Sequence, residues 1–340
     1  MQSLSSVGAG FVAGLFDLVE RAGVDRGTLL RHAGLDGEQA CGADGRWPME
    51  AVIALFQSAA VLTQRPDLGL EFGRQVRPGT FHVLGYALMT CRTLGEAIAL
   101  VPHYRRLVFD IGYSEMQFTA TEQEARLGWQ VVSQALPYSR SLAESLIAAW
   151  YSFGRWMAGV DLPLKEVCFL HEAPADTDAY EHFFGCPVHF GASGNALVFA
   201  RSLLERPLVQ ADETLHLAMR EQAQAAMAKA FHKQDVAHRL QQALIPLMPK
   251  YEATLEHAAA ALSMSARTLQ RRLAEQSLQF QDVLDTVRQD LARVYLRDAA
   301  LSALDVALLL GYAEQSSFTR AFKSWFGATP SDWRRTQRGV

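Results

Sequence analysis

Two short stretches carry side chains that could hydrogen-bond to the edges of DNA bases. Residues 265–273 run Ser-Ala-Arg-Thr-Leu-Gln-Arg-Arg-Leu. In a helix, Arg267, Gln270 and Arg271 share one face at i, i+3 and i+4, while Leu269 and Leu273 share another. Arg can bond bidentately to guanine O6 and N7, and Gln to adenine N6 and N7. About fifty residues later the same division returns. Phe318 and Phe322 form an apolar face that Phe326 continues, and Ser316, Thr319, Arg320 and Lys323 lie opposite it.

The flanking residues supply the elements that would position these faces. Glu256–Leu262 is a short Ala-rich helix interrupted by Ser263-Met264-Ser265, and Ser265 can N-cap the helix that follows. Asp305–Leu310 is a second short apolar helix, and Gly311 stands where a C-cap needs a left-handed residue. Ser316 or Ser317 is expected to open the next helix, which Gly327 and Pro330 end. A short helix, a tight turn and a helix with a polar outer stripe make a helix-turn-helix unit. Between the two units, Phe280–Arg297 repeats Val283, Leu284, Val287, Leu291, Val294 and Tyr295 at helical spacing. Such a helix is ~27 Å long, against ~34 Å between successive major-groove faces on one side of B-DNA. It could hold two heads on one face of a duplex.

Charge points to the same end of the chain. Residues 234–340 hold 13 Lys and Arg against 11 Asp and Glu, while the whole chain of 340 residues is at −4. The remainder is therefore acidic, and a polyanion partner belongs to the C-terminal third. A hydrophobic content of 49% with 20% charged residues excludes a disordered chain, a collagen-like chain and a coiled-coil rod. The length fits two domains.

Residues 234–337 resemble the DNA-binding domain of the AraC/XylS family of bacterial transcription regulators. The stretches SARTLQRRL (265–273) and ALLLGYAEQSSFTRAFKSWFGATPSDWR (307–334) carry the resemblance. It implies that Arg267, Gln270 and Arg271 in the first unit face bases, and that Ser316 and Arg320 do so in the second, with Gln315 and Thr319 beside them. Arg272 and Lys323 are the expected phosphate contacts, which position without specifying sequence. A merely solvated helix face would carry the same residue types; the two matched units favour DNA.

The first two hundred residues read as mixed α and β. Phe11, Leu15, Leu18 and Val19 make one helical face, and Ala51, Leu55, Ser58, Ala59 and Leu62 another, with Pro48 at its first turn. Leu84–Thr90, Thr93–Val108 and Tyr138–Trp156 read as helices. Tyr113–Thr119 and Ala125–Val132 alternate as a strand pair, and Lys165–Leu170, Pro187–Phe190 and Ala196–Phe199 as short strands. Leu215, Met219, Ala223, Ala226 and Ala230 lie at helical spacing in residues 207–233, a connecting helix that either packs on its own domain, the favoured reading, or forms a dimer seam. Residues 11–204 resemble the N-terminal domain of the subgroup that includes the ornithine utilisation regulators, through LGYALMT (84–90), TLGEA (93–97) and APADTDAYEHFFGCPVHFGASGNALVF (173–199), with RPL (206–208) just beyond. They do not resemble the cupin barrel of arabinose-sensing relatives. The resemblance implies a sensor or dimerisation domain and names no effector.

Phe81, His82, Tyr86, Tyr104, Arg105 and Trp129 are candidate effector-binding residues; a plain aromatic core would give the same set. An amino-acid effector would suit an Arg clamp on its carboxylate, with Arg105 as the candidate. Cys168-x-x-His171 and Cys186-x-x-His189 offer four metal-type ligands. Strand positions i and i+3 point to opposite faces, so no metal and no cofactor are expected. The four cysteines, Cys41, Cys91, Cys168 and Cys186, form no CxxC pair and read as reduced thiols. G-x-S-x-G, the P-loop, HExxH and G-x-G-x-x-G after a strand are all absent, so no catalysis is expected.

The fold class expected is mainly α, with a mixed α+β N-terminal domain and an all-α C-terminal domain of two helix-turn-helix units joined by a long helix. The boundaries expected are 1–206 for sensing or dimerisation, 207–233 for a helical linker and 234–340 for DNA binding. Within the last, the units span about 252–276 and 303–327, with the long helix at about 280–297. The function expected is a sequence-specific transcriptional regulator in the cytoplasm, an activator by resemblance, acting as a homodimer on promoter double-stranded DNA. RNA polymerase is a partner by resemblance, and a small-molecule effector, an amino acid among the options, is a further one. No signal peptide and no membrane span are read. The alternative is a ligand- or partner-binding protein whose helix-turn-helix domain no longer reads DNA, which the small charge of +2 keeps open.

Overall fold

The computed structural model describes residues 5–35, 45–111, 114–131, 139–231, 235–276, 278–296 and 301–338. Cys41, Tyr113, Val132, Tyr138 and Arg297, on which some expectations fall, lie outside the described residues. The described chain is mainly α, with two small open sheets confined to residues before 201.

The first sheet has three strands. Ser5–Gly8 is central and pairs antiparallel with both Arg46–Pro48 and Phe109–Ile111. None of these edge pairs was expected, because strands of three or four residues are too short to show a period. Against this sheet packs Ala9–Arg21, which buries Phe11, Leu15, Leu18 and Val19 as its spacing predicts. Phe11 sits among Phe56, Phe72 and Phe109, with ring centroids 4.5–6.0 Å apart.

The second sheet has five strands in the order Ser114–Ala120, Glu124–Val131, Asn195–Ala200, Leu164–Cys168, Val188–His189. The first two form the expected hairpin. All neighbours are antiparallel except the last pair, which is parallel. Behind this sheet runs the long helix Arg140–Ala158, N-capped by Ser139 and ended by left-handed Gly159. Leu68–Arg74 packs onto it so closely that a Cβ on Gly73 would come within 2.3 Å of the Ala148 Cβ. Only glycine fits there.

Thr93–Val108 is not one helix. Thr93 caps Leu94–Tyr104, and Pro102 lies near its end; the chain then tightens into a 3-10 turn at Arg105–Leu107 and enters the first sheet. The proline cannot donate a hydrogen bond back along the helix, which weakens the last turn. The connecting helix is Glu213–Phe231; residues 207–212 precede it as irregular chain. Ala223 is buried against Leu107, and Tyr104, Ala226, Met227 and Ala230 complete that cluster. Leu215 falls off this face and is 42% exposed.

Every element of the described chain from residue 235 onward is helical. Asp235–Leu247, Leu255–Ala261 and Ala266–Ala274 form one group; Phe280–Tyr295, Ala303–Leu309 and Gln315–Phe326 form another; Pro330–Arg338 closes the chain. Among the described residues no helix is long and apolar enough to cross a membrane.

Candidate nucleic-acid interface

The two groups are built alike, position for position, at an offset of 48 or 49 residues. In the first unit Thr254 N-caps the short helix, accepting from His257 N at 3.3 Å. In the second Ser302 does so through a capping box, accepting from Asp305 N at 3.1 Å while its own N–H donates to Asp305 at 2.8 Å. The short helices end on Leu262 (φ −89°, ψ 3°) and Leu310 (φ −88°, ψ 3°), which share one conformation. A left-handed residue follows each, Ser263 at φ 56° and Gly311 at φ 75°. The next N–H then closes the same bond five residues back, Met264 to Ala259 O at 3.0 Å and Tyr312 to Ala307 O at 2.9 Å. This is the Schellman termination, and it fixes the angle at which the second helix leaves.

The second helix of each unit shows its expected faces. Leu269 and Leu273, like Phe318 and Phe322, are at most 1% exposed. Arg267, Gln270, Arg271 and Arg272 are exposed in the first unit. In the second, Gln315, Ser316, Arg320 and Lys323 are exposed and Thr319 is half-exposed. Gln315, Ser316, Thr319 and Arg320 line one open depression, so these four expected base-facing residues converge. The helix opens one residue earlier than Ser316: it begins at Gln315, with Glu314 as N-cap. Ser316 donates its hydroxyl to Glu314 at 3.1 Å, so its hydrogen-bonding capacity is partly engaged.

Arg271 is held by Glu275 at 2.7 Å, with both side chains more than half exposed. An exposed i, i+4 pair is worth only ~0.3–0.5 kcal/mol, so it can exchange Glu275 for a base at little cost. Ser265 accepts from Thr268 N at 3.2 Å and caps this helix as its sequence predicts.

Two arginines that the sequence reading did not single out hold the units in place. Arg239, on Asp235–Leu247, donates to Leu262 O at 3.4 Å; Arg288, on Phe280–Tyr295, donates to Leu310 O at 3.1 Å. Each binds the last carbonyl of a short helix, where a cation is favoured by the helix dipole. Arg288 also lies 4.5 Å over the Tyr312 ring, and Arg293 lies 5.3 Å over Phe326. Arg334 Nε donates to Leu296 O at 2.8 Å. The spacing of Arg239 and Arg288 matches the repeat, which is the sequence signal that would have found them.

The six candidate effector residues do not gather in one place. Phe81 is buried with its ring centroid 5.0 Å from that of Phe153. His82 is exposed at φ 55°, and Tyr86 is 44% exposed. Arg105 lies in the 3-10 turn, and Trp129 stands opposite Met116 and Asn195 in the sheet. Tyr104 lines a groove of about 510 Å³ between Leu94–Tyr104 and the connecting helix; the other five do not line it.

The Cys/His pairs are separated by their surroundings. Cys168 is in register with His189, whose Nε2 lies 3.2 Å from Glu166. His171 instead turns its Nε2 to within 3.4 Å of buried Glu144. Burial holds the His171 pKa below its ordinary value and pushes the Cys168 thiol up. Among the described residues no group of three or more His, Cys, Asp or Glu side chains is arranged to hold a metal ion. Glu144 accepts from Arg140 at 2.7 Å and from Tyr180 at 2.6 Å, an internal network beside that histidine.

Comparison with known proteins places this geometry. Residues 23–208 match the family model described as the arabinose-binding domain of AraC transcription regulator, N-terminal, and residues 258–336 match a helix-turn-helix domain. The described residues within the first match carry open sheets and no closed barrel. The chain is 31% identical over 327 residues to the ornithine utilization regulator of Pseudomonas aeruginosa, covering 95% of each. It is 26% identical over 323 residues to the HTH-type transcriptional regulator VirS of Mycobacterium tuberculosis, covering 94% of each. Among solved structures it is similar to the transcriptional regulator CdpR from Pseudomonas aeruginosa, with 27% identity, a TM-score of 0.44, and coverage of 91% of this chain and 96% of that one.

Proposed function

The chain belongs to the AraC family of transcription regulators and is a DNA-binding regulator; on that premise we propose which residues read DNA and what the rest of the chain supplies. Arg267, Gln270 and Arg271 read bases through one major-groove segment, and Gln315, Ser316, Thr319 and Arg320 through the next. Arg272 and Lys323 contact phosphate. The helix Phe280–Tyr295, ~24 Å long at 1.5 Å per residue, joins the two heads. The observation that carries this reading is the repeated unit: two matching turns, each presenting an exposed Arg-bearing face.

In this reading residues 1–206 sense a small molecule, dimerise or do both, residues 207–233 connect, and residues 234–340 bind DNA. The effector is a small molecule, with an amino acid as the candidate class, the regulator works in the cytoplasm as a homodimeric activator that contacts RNA polymerase, and it catalyses no reaction. Effector binding shifts a population between states of different promoter affinity.

Genome-wide capture of DNA by the full-length protein at two salt concentrations tests the reading. The expected result is a compact set of sites sharing two short half-motifs about one helical turn apart, with capture falling steeply as salt rises. Absence of capture at both salt concentrations overturns it.

A further inference from the structure

Three segments enclose the groove that Tyr104 lines. His82–Met89 packs closely on the connecting helix, whereas Leu94–Tyr104 touches it less and leaves a cavity of about 510 Å³. Thr90 and Cys91 form the floor. Burial pushes the Cys91 thiol up to about 11, so the floor carries no charge. His216 Nδ1 lies 3.2 Å from Ala87 O and 3.2 Å from Thr90 Oγ1. The carbonyl can only accept, so Nδ1 carries a proton.

The walls share one spacing of side chains. Leu94–Tyr104 carries Glu96 and, seven residues on, His103; the connecting helix carries Glu213 and, seven residues on, Arg220. The two helices run in the same direction. Arg92 acts electrostatically with Glu213 near one end, while Tyr104 meets the Ala223 cluster toward the other. Glu96 and Glu213 therefore lie at one end of the groove, with Arg92 beside them, and Arg220 lies toward the other. Arg92 binds Glu96 through its side chain at 2.9 Å and its backbone N–H at 3.0 Å, which offsets that charge. Glu213 then supplies the net negative charge of its end, and Arg220 the positive charge of the other. Between them lie Ala99, Leu100 and Leu217, the last 55% exposed although aliphatic. Seven residues of helix separate the two charges by ~10 Å along the axis.

We propose that this groove binds a small zwitterion whose ammonium and carboxylate are joined by a short unbranched aliphatic chain. The ammonium lies at Glu213, the carboxylate at Arg220, and the methylenes against Leu100 and Leu217. This rests on the reading above that the N-terminal part of the chain senses a small molecule, and it deepens that reading by naming the site and the ligand chemistry. A ligand seated there touches both walls, so it favours the state in which the connecting helix is held against Leu94–Tyr104. The shift can be no larger than the ligand's difference in affinity for the two states.

Calorimetric titration of the full-length protein with γ-aminobutyrate, δ-aminovalerate and ε-aminocaproate tests the proposal, with pentylamine, pentanoate, cadaverine and glutarate as probes carrying one charge sign. The expected result is binding of at least one zwitterion, with each single-sign probe weaker by about tenfold or more, since a charge-assisted bond contributes that much. Glu213→Gln and Arg220→Gln each lower zwitterion affinity by a similar factor. Both side chains are exposed, so the unliganded melting temperature is unchanged. Equal binding of a single-sign probe, unaltered affinity in both variants, or no zwitterion binding by the native chain overturns the proposal. DNA capture run in parallel separates the two readings. A chain that binds DNA but no zwitterion refutes only the groove. A chain that binds a zwitterion but no DNA refutes the DNA reading instead.

Discussion

Ser263 occupies, at φ 56°, the turn position that Gly311 fills at φ 75° in the second unit. The two residues do the same work, but only one of them does it without strain. A side chain in the left-handed region costs ~1–2 kcal/mol, which glycine avoids. The Gly311 site adds a second demand, because a Cβ there would come within 2.7 Å of Met248 O.

Ser263→Gly is therefore expected to stabilise the first unit by ~0.5–1 kcal/mol, the usual left-handed strain less the added freedom of the unfolded chain. Gly311→Ala is expected to destabilise the second unit by more than that. Denaturant melts of the full-length chain measure both, and a destabilising Ser263→Gly would break the equivalence of the two turns.

The exposed arginines separate by what they touch. Arg271→Ala and Arg320→Ala are each expected to cost ~1–3 kcal/mol on the cognate site and much less on random DNA. Arg272→Ala and Lys323→Ala are expected to weaken both DNAs alike and to lower the salt slope by about 1. Fluorescence anisotropy on the two DNAs across a salt series distinguishes them. Equal losses for Arg271→Ala on both DNAs would reassign it to phosphate.

Leu273 and Phe322 are each at most 1% exposed at the centre of their units. Truncation to Ala removes that packing and leaves a cavity, at an expected cost of ~2–5 kcal/mol each. Retained melting behaviour in either variant would show that its core face is placed wrongly.

Arg140 and Glu144 give a pH-dependent test. Glu144 is fully buried, and burial raises its pKa even though Tyr180 and Arg140 donate to it. A carboxyl whose folded pKa is raised favours the folded state below its unfolded pKa, and that contribution is lost as pH rises through the folded value. Arg140→Ala removes the cation and leaves the carboxylate buried, at an expected cost of up to ~3–5 kcal/mol at neutral pH, toward the lower end because Arg140 is partly exposed. The loss is expected to shrink as pH falls toward the carboxylate range and Glu144 takes up a proton. Urea melts at neutral and mildly acidic pH measure this, and a pH-independent loss would assign the effect to packing.

The helix-turn-helix units were legible because everything that defines them is local. Capping serines, left-handed turn residues and apolar pairs four apart lie within about twenty residues of one another. Their periodicity fixes which face is buried before any long-range contact forms. The hairpin at 114–131 was legible through its alternation for the same reason.

The remainder depended on residues far apart in the chain. The three-stranded sheet joins Ser5–Gly8 to Phe109–Ile111, and strands of three or four residues carry no period. The parallel pairing of Leu164–Cys168 with Val188–His189 set Cys168 beside His189 and sent His171 toward Glu144, which ligand spacing alone could not foretell. Arg239 and Arg288 look like ordinary surface cations in sequence, and their task is set by the carbonyls that packing brings within reach. The groove exists because the connecting helix docks beside Leu94–Tyr104, over a hundred residues earlier. The amino-acid order carried the buried faces of the main helices, since hydrophobic period and capping act within a turn or two, but not the break of Thr93–Val108 beyond Pro102. Which charges face one another across a cavity came from packing, because finished elements must dock before distant side chains meet.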